Sequence, residues 1–253
     1  MYRLTDTVKH LLIINVLMFI GTMAFKESGL FYDWFALYFP KNLMFEPWQI
    51  FTHMFMHGGF GHIFFNMFAL WMFGTLVEQQ LGAKKFIFFY ISCGLGAALI
   101  QLGFYYFQFY EGLSALTGAG FSNSQIIETL TSGKYMYDRR WEQVLTNEQL
   151  GQFVGVFNST MVGASGAIMG VLVAFGMMNP EAKLMLIFLP IPVKAKYFIP
   201  AIIGLDLISA LTGQSFFSPS NTAYAAHIGG ALTGFLIMWF WKKRQFNKNR
   251  WDI

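Results

Sequence analysis

Six apolar segments, at roughly 10–27, 58–77, 85–108, 162–178, 196–212 and 223–242, dominate the 253 residues of this chain. Each is bounded by charge or by clusters of Pro, Gly, Asn and Asp. The hydrocarbon core of a bilayer takes about 20 apolar residues as a helix, and only about 10 as a strand. Within lipid every backbone N–H and C=O must find its partner inside the segment, so runs of this length are read as helices. Charged residues make up 12% of the chain against roughly a quarter in soluble domains. With a mean hydropathy of +0.47, the expectation is an all-α polytopic bundle of six transmembrane helices forming one membrane domain over 1–253.

The net charge of +4 would suit nucleic acid only if the 17 Lys and Arg residues formed a basic stripe, and they do not. They fall between the spans. With both termini inside, 12 lie on the inner side (Arg3, Lys9, Lys84, Lys85, Lys183, Lys194, Lys196, Lys242, Lys243, Arg244, Lys248 and Arg250) and 5 outside (Lys26, Lys41, Lys134, Arg139 and Arg140). Cytoplasmic loops carry the positive excess, so both ends are placed in the cytoplasm. The run after Lys9 and His10 lacks an A-x-A cleavage site and is read as a retained first span. Cys93, a single cysteine inside an apolar run, excludes an internal disulfide and a Cys-based metal site.

Between spans three and four, residues 109–160 are polar by comparison and are read as an extracytoplasmic insertion. Thr146 and Gln149 have the spacing of a capping box, which predicts a helix from about Asn147. Asn158, Ser159 and Thr160 form a glycosylation sequon. Pro190, Pro192, Lys194 and Lys196 break the apolar stretch before span five, whose first half is expected to be a cytoplasmic re-entrant or interfacial loop. A basic cytoplasmic tail is expected over 242–253.

Polar residues inside spans are costly and are functional candidates by default. His62 and Asn66 are four apart, so on a helix they share a face and could address one ligand atom, an anion more readily than a metal. His53, His57 and His62 raise zinc chelation as a rival, but the glutamate of H-E-x-x-H is missing. No metal or other cofactor is expected. Ser165, flanked by Gly163 and Gly166, opens the fourth span, where a helix N-terminus offers free N–H groups to a developing oxyanion. The same small residues could serve only close helix packing. On the sixth span, Gly230 and Gly234 make a flat stripe beside His227 that would let this helix approach another. A hydrogen-bonded imidazole activates a serine that is otherwise a weak nucleophile. Asp206 is the only acidic residue well inside a span, and nothing in the spacing ties it to His227.

Taken in order on spans two, four and six, H-x-x-x-N at His62 and Asn66, G-x-S-G at Gly163–Gly166 and A-H-x-x-G-x-x-x-G at Ala226–Gly234 resemble the rhomboid family of intramembrane serine proteases. The spacing of His53, His57 and His62 is similar to the family's, as are Glu78 and Gly82 in its V-E-x-x-x-G stretch. The resemblance implies Ser165 as nucleophile, His227 as general base, and His62, Asn66 and the Ser165 backbone N–H as oxyanion donors. Its substrates would be transmembrane proteins met in the lipid bilayer; separately, the retained N-terminus and the absence of other eukaryotic targeting signals place the chain in a bacterial inner membrane. This sequence departs from the family at Met169, where an aromatic residue is usual, and at Trp48–Gln49, where Trp-Arg is usual. Two other classes are weighed. An inactive rhomboid-like binder of membrane clients would be expected to lack the serine or the histidine, and a proton-relay transporter would show inverted repeats, which are not visible.

Overall fold

The computed structural model describes residues 3–186, 189–212 and 223–248. Its first helix, α1 (Asp6–Ala24), begins where the carboxylate of Glu78 accepts hydrogen bonds from Thr5 Oγ1 (2.5 Å), Thr7 N (3.2 Å) and Val8 N (2.9 Å). An acceptor-only group there satisfies donors that a helix start leaves free. After α1 come α2 (Leu30–Phe35), the two-residue strand β1 (Leu37–Tyr38), α3 (Gln49–Thr52) and a 3-10 turn at His53–Phe55. This connection is held by Gln49, whose side chain is fully buried. Gln49 Nε2 donates to the carbonyls of Asp33 and Met44, both at 2.9 Å, while Oε1 accepts from the amides of Tyr38 and Glu46. Trp48 donates to the Trp34 carbonyl at 2.8 Å. The loop is thus anchored by Gln49 through its amide.

A second long helix runs as α4 (Phe60–Ala69), a π turn at Leu70–Gly74, and α5 (Thr75–Leu81). After Gly82, α6 (Ala83–Gly118) extends for 36 residues. At 1.5 Å per residue that is ~54 Å, against about 30 Å of hydrocarbon. The third span therefore does not end near residue 108, as its apolar pattern suggests, but overruns it by about three turns. The overrun is the wall of a small helical cap. Against it pack α7 (Asn123–Thr131), a 3-10 turn at Arg139–Gln143 and α8 (Asn147–Phe157), with Phe109, Leu116, Ile126, Trp141, Phe153 and Phe157 in a core of their own. The expected capping box of Thr146 and Gln149 starts α8, and Ser122 with Gln125 makes a second one at α7.

Strand β2 (Thr160–Met161) pairs antiparallel with β1, Leu37 opposite Met161 and Tyr38 opposite Thr160. It leads into α9 (Ser165–Met178), only 14 residues long. The stretch after it, expected as a re-entrant or interfacial loop, has regular structure. It is a hairpin of β3 (Lys183–Leu186) and β4 (Leu189–Lys194), with Lys183 opposite Lys194. Prolines are tolerated in β4 because a two-stranded ribbon has a free edge on each strand. Glu181 bridges Lys194 (2.7 Å) and Lys196 (2.6 Å), which hold its carboxyl down at about 2. The chain continues as α10 (Ala195–Thr212) and α11 (Tyr224–Lys248), which carries the apolar segment 223–242. The basic tail beyond 248 lies outside the described residues.

Among the described residues, four helices are long and apolar enough to cross a membrane: Asp6–Ala24, Phe60–Leu81, Ala83–Gly118 and Ala195–Thr212. The molecule is a helical membrane bundle. Its outward face is apolar, with Leu17, Phe64, Phe88, Leu99 and Leu211 all more than half exposed. Lipid accepts such a surface and water does not. Helix α9 is the inverse, with an uninterrupted buried run from Gly166 to Val171. It is enclosed by α6 and α11, and small residues decide how closely. A Cβ on Gly230 would fall onto the carbonyl oxygen of Gly166, and one on Gly234 would lie 2.7 Å from Gly170 Cα. The Gly230 and Gly234 stripe therefore meets Gly166 and Gly170 backbone to backbone.

Candidate active site

The close crossing of α9 and α11 sets the first relationship of the site. Ser165 is the first residue of α9 and His227 lies in the first turn of α11. The Ser165 Oγ is 2.9 Å from His227 Nε2. The residue pair predicted from the small-residue stripes is brought together at hydrogen-bonding distance. His227 Nδ1 faces the other way and lies 2.8 Å from Oδ2 of Asp206 on α10. The His227 and Asp206 side chains are only 12% and 7% exposed.

Ser165 is presented by the turn before it. Gly163 has φ of +126°, a backbone conformation that side chains rarely adopt. Its amide donates to the His53 carbonyl at 2.9 Å. The β1–β2 pairing fixes the approach of this segment from the other side. A Cβ on Gly163 would stand 2.8 Å from His62 Nε2 and 3.6 Å from Ser165 Oγ. The imidazole of His62 therefore sits directly over the serine turn.

Which nitrogen of His62 carries hydrogen follows from its contacts. The Gly58 amide donates to Nδ1 at 3.4 Å, so Nε2 is the N–H and points toward Gly163. Asn66, one helical turn further along α4, is 7% exposed, and its Nδ2 is buried without a hydrogen-bond partner among the described residues. Unmatched buried donors are rare in folded proteins and call for a reason. An anion reaching the Ser165 turn would supply one. The first-turn amides of α9, starting with Ser165 N, add donors of the same sign.

His53 and His57 take no direct part. His53 Nδ1 lies 3.0 Å from the Gln49 carbonyl, and burial pushes its ring down to about 4. His57 is held down to about 3 by burial and by neighbouring His62, whose ring packs edge-on against it at 5.0 Å. Both rings are neutral at pH 7, and both ring nitrogens of His57 are buried with no hydrogen-bond partner among the described residues. Met169, one turn after Ser165, is a buried core residue at 6% exposure.

Two residues of the site have no spacing signal in the sequence. Asp206 is marked only by being an acid within an apolar helix. Gln101, on α6, accepts the Ala226 amide at 3.1 Å and so caps the start of the helix that carries His227.

The chain is similar to known proteins over most of its length. A profile of the Rhomboid domain matches residues 44–139 and 141–244. "Rhomboid protein 1, mitochondrial" of Saccharomyces cerevisiae is 28% identical over 239 residues, 94% of this chain and 54% of that protein. "Presenilin-associated rhomboid-like protein, mitochondrial" of Homo sapiens is 28% identical over 197 residues, 76% of this chain and 38% of that protein. "Rhomboid protease GlpG" of Salmonella newport is 39% identical over 71 residues, 28% of this chain and 26% of that protein. The chain thus spans about half or less of the length of these relatives.

Proposed function

The chain belongs to the rhomboid family, and we propose that it is an intramembrane serine endopeptidase cleaving transmembrane or membrane-adjacent segments of other membrane proteins. The observation that carries this reading is the 2.9 Å approach of His227 Nε2 to Ser165 Oγ within a helical membrane bundle. An imidazole at that distance can take the hydroxyl proton as the oxygen attacks.

Acylation then runs as follows. Ser165 Oγ bonds to the carbonyl carbon of the scissile peptide, the serine proton passes to His227 Nε2, and the carbonyl π pair moves onto oxygen. His62 Nε2–H, Asn66 Nδ2 and the Ser165 amide are the donors for that oxyanion. Removing one donor of this kind costs about 10²–10³ in rate. Collapse breaks the C–N bond, and His227 returns its proton to the leaving amine. In deacylation water bonds to the acyl carbon, gives its proton to His227, and the proton comes back to Ser165 Oγ as the ester bond breaks.

Water must reach the serine, and the length of α9 supports its access. Fourteen residues rise ~21 Å, so a helix anchored at one membrane face leaves its other end roughly 9 Å short of the opposite face. The Lys and Arg balance puts both termini on the cytoplasmic side and Ser165 toward the outer one. A bacterial inner membrane is the compartment read from the sequence. The mitochondrial relatives make an organelle membrane the second reading.

The test is cleavage of a single-span substrate in proteoliposomes by wild type and Ser165→Ala, with fluorophosphonate labelling of Ser165 alongside. Cleavage and labelling by wild type alone support the protease. Equal cleavage by both proteins would overturn the assignment of Ser165, and a folded wild type that neither cleaves nor takes label leaves the non-cleaving client binder.

A further inference from the structure

We propose that Asp206 is a positioning residue for the reaction, holding His227 in the one tautomer that can accept the serine proton. The inference rests on the protease reading above and deepens it. A two-residue site needs only Ser165 and His227, so the third group requires an argument of its own.

An acid within an apolar helix is costly. Asp206 lies eleven residues into α10, in the apolar sequence IIGLDLI, and α10 has no other acidic residue. Acids in such positions are rare and face a partner inside the bundle. Here the partner is Nδ1 of His227, at 2.8 Å. The approach comes from a different helix from the one that carries the serine, so it does not follow from the packing of α9 on α11. The ring is spanned from both sides, with Asp206 Oδ2 on Nδ1 and Ser165 Oγ on Nε2.

The chemistry of the three groups leaves one arrangement. A carboxylate only accepts, so Nδ1 must carry the hydrogen. A neutral imidazole has one N–H, so Nε2 is left with its lone pair free. The serine hydroxyl donates to that lone pair, which is the geometry for proton transfer. When the proton arrives, the ring becomes a cation beside a carboxylate in surroundings of low dielectric, and the positive charge is stabilised as it forms. The other groups about the ring do not substitute for Asp206. His62, on α4, is near enough to interact electrostatically with His227 but is another imidazole. From α6 the contributions are Gly96 and Ile100 against Gly229, and Gln101 on the Ala226 amide.

The test compares Asp206→Asn, Asp206→Ala and Asp206→Glu in proteoliposomes with a single-span substrate, together with ¹⁵N NMR of the imidazole of His227 in nanodiscs. Asparagine is isosteric but can turn its NH₂ toward Nδ1, which moves the ring hydrogen to Nε2 and blocks the acceptor. The expected result is a loss in kcat on the order of 100-fold for Asn, with KM within about threefold, and partial recovery with Glu. The wild-type spectrum should show hydrogen on Nδ1 and a bare Nε2, and the Asn variant the reverse. Wild-type kcat in Asp206→Asn would overturn the inference, as would a wild-type ring with its hydrogen on Nε2. The NMR measurement on wild type decides the matter even where a variant fails to fold. It also separates this inference from the protease reading, since a protein no better than Ser165→Ala at cleavage can still show whether Asp206 sets the tautomer.

Discussion

The amide of Gly163 donates to the carbonyl of His53 at 2.9 Å, and this bond ties the turn before Ser165 to the turn that precedes the His62 helix. Ser165 and the segment leading to His62 are thereby joined by one local backbone contact, with Gly163 at its centre. The Gly163 φ of +126° is strained for any other residue, and a Cβ there would press 2.8 Å from His62 Nε2. Gly163→Ala is therefore expected to cost about 1–3 kcal/mol of stability. The larger effect is on rate. Displacing His62 or the serine turn by about an ångström should lower kcat/KM on the order of 100-fold, measured on a single-span substrate beside a thermal unfolding curve.

Asn66 separates activity from stability. Among the described residues its Nδ2 has no partner to lose, so Asn66→Ala should leave folding stability within about 1 kcal/mol of wild type. On the oxyanion role proposed for Asn66, the same change is expected to lower kcat by about 10²–10³ with little change in KM. A drop in thermal stability with kcat intact would assign Asn66 to packing.

The glycine stripes make a prediction with an internal control. At Gly230 a Cβ meets the Gly166 carbonyl, which is backbone and cannot turn aside. Gly230→Ala should force α9 and α11 apart, costing about 1–3 kcal/mol and stretching the Ser165–His227 contact beyond proton-transfer distance. Gly204, on α10, has nothing within 4 Å of the equivalent position. Gly204→Ala should be neutral, or stabilising by up to about 1 kcal/mol through helix propensity alone. Cleavage assays and unfolding curves on the two variants distinguish a packing role for the stripe from a general intolerance of alanine.

What could be read from the chain before its structure follows a physical division. The approach of Ser165 to His227 is legible because small-residue stripes are local patterns, and the shared face of His62 and Asn66 because helical periodicity is one. Asp206 was not, since its partner is on another helix and no spacing along one segment encodes a contact between two. Its only trace was the cost of an acid in an apolar run, and that rule alone marks it as a candidate. The β3–β4 hairpin was hidden for a different reason. Its prolines and lysines forbid a span, but whether they make a loop or a ribbon depends on the pairing of Lys183 with Lys194. The overrun of α6 to Gly118 is held by contacts with α8 and Trp141, which hydropathy does not register.

The two supporting histidines couple this site to pH. Burial holds the rings of His53 and His57 down at about 4 and about 3, below their ordinary value near 6.5. Both are neutral in the folded protein at pH 7, while the unfolded chain takes up protons as pH falls through 6.5. Their contribution to stability is thus complete above about pH 6.5, declines as pH falls, and levels off only near the folded values. Each ring can contribute a slope of up to about 1.4 kcal/mol per pH unit in that interval. Thermal unfolding in detergent micelles should accordingly show a midpoint that is flat above pH 7 and falls steadily between pH 6.5 and 4. His57→Leu, which replaces a neutral buried ring with an apolar side chain, should retain the midpoint near pH 7 and lessen the slope. An undiminished slope in that variant would place the acid sensitivity outside His57.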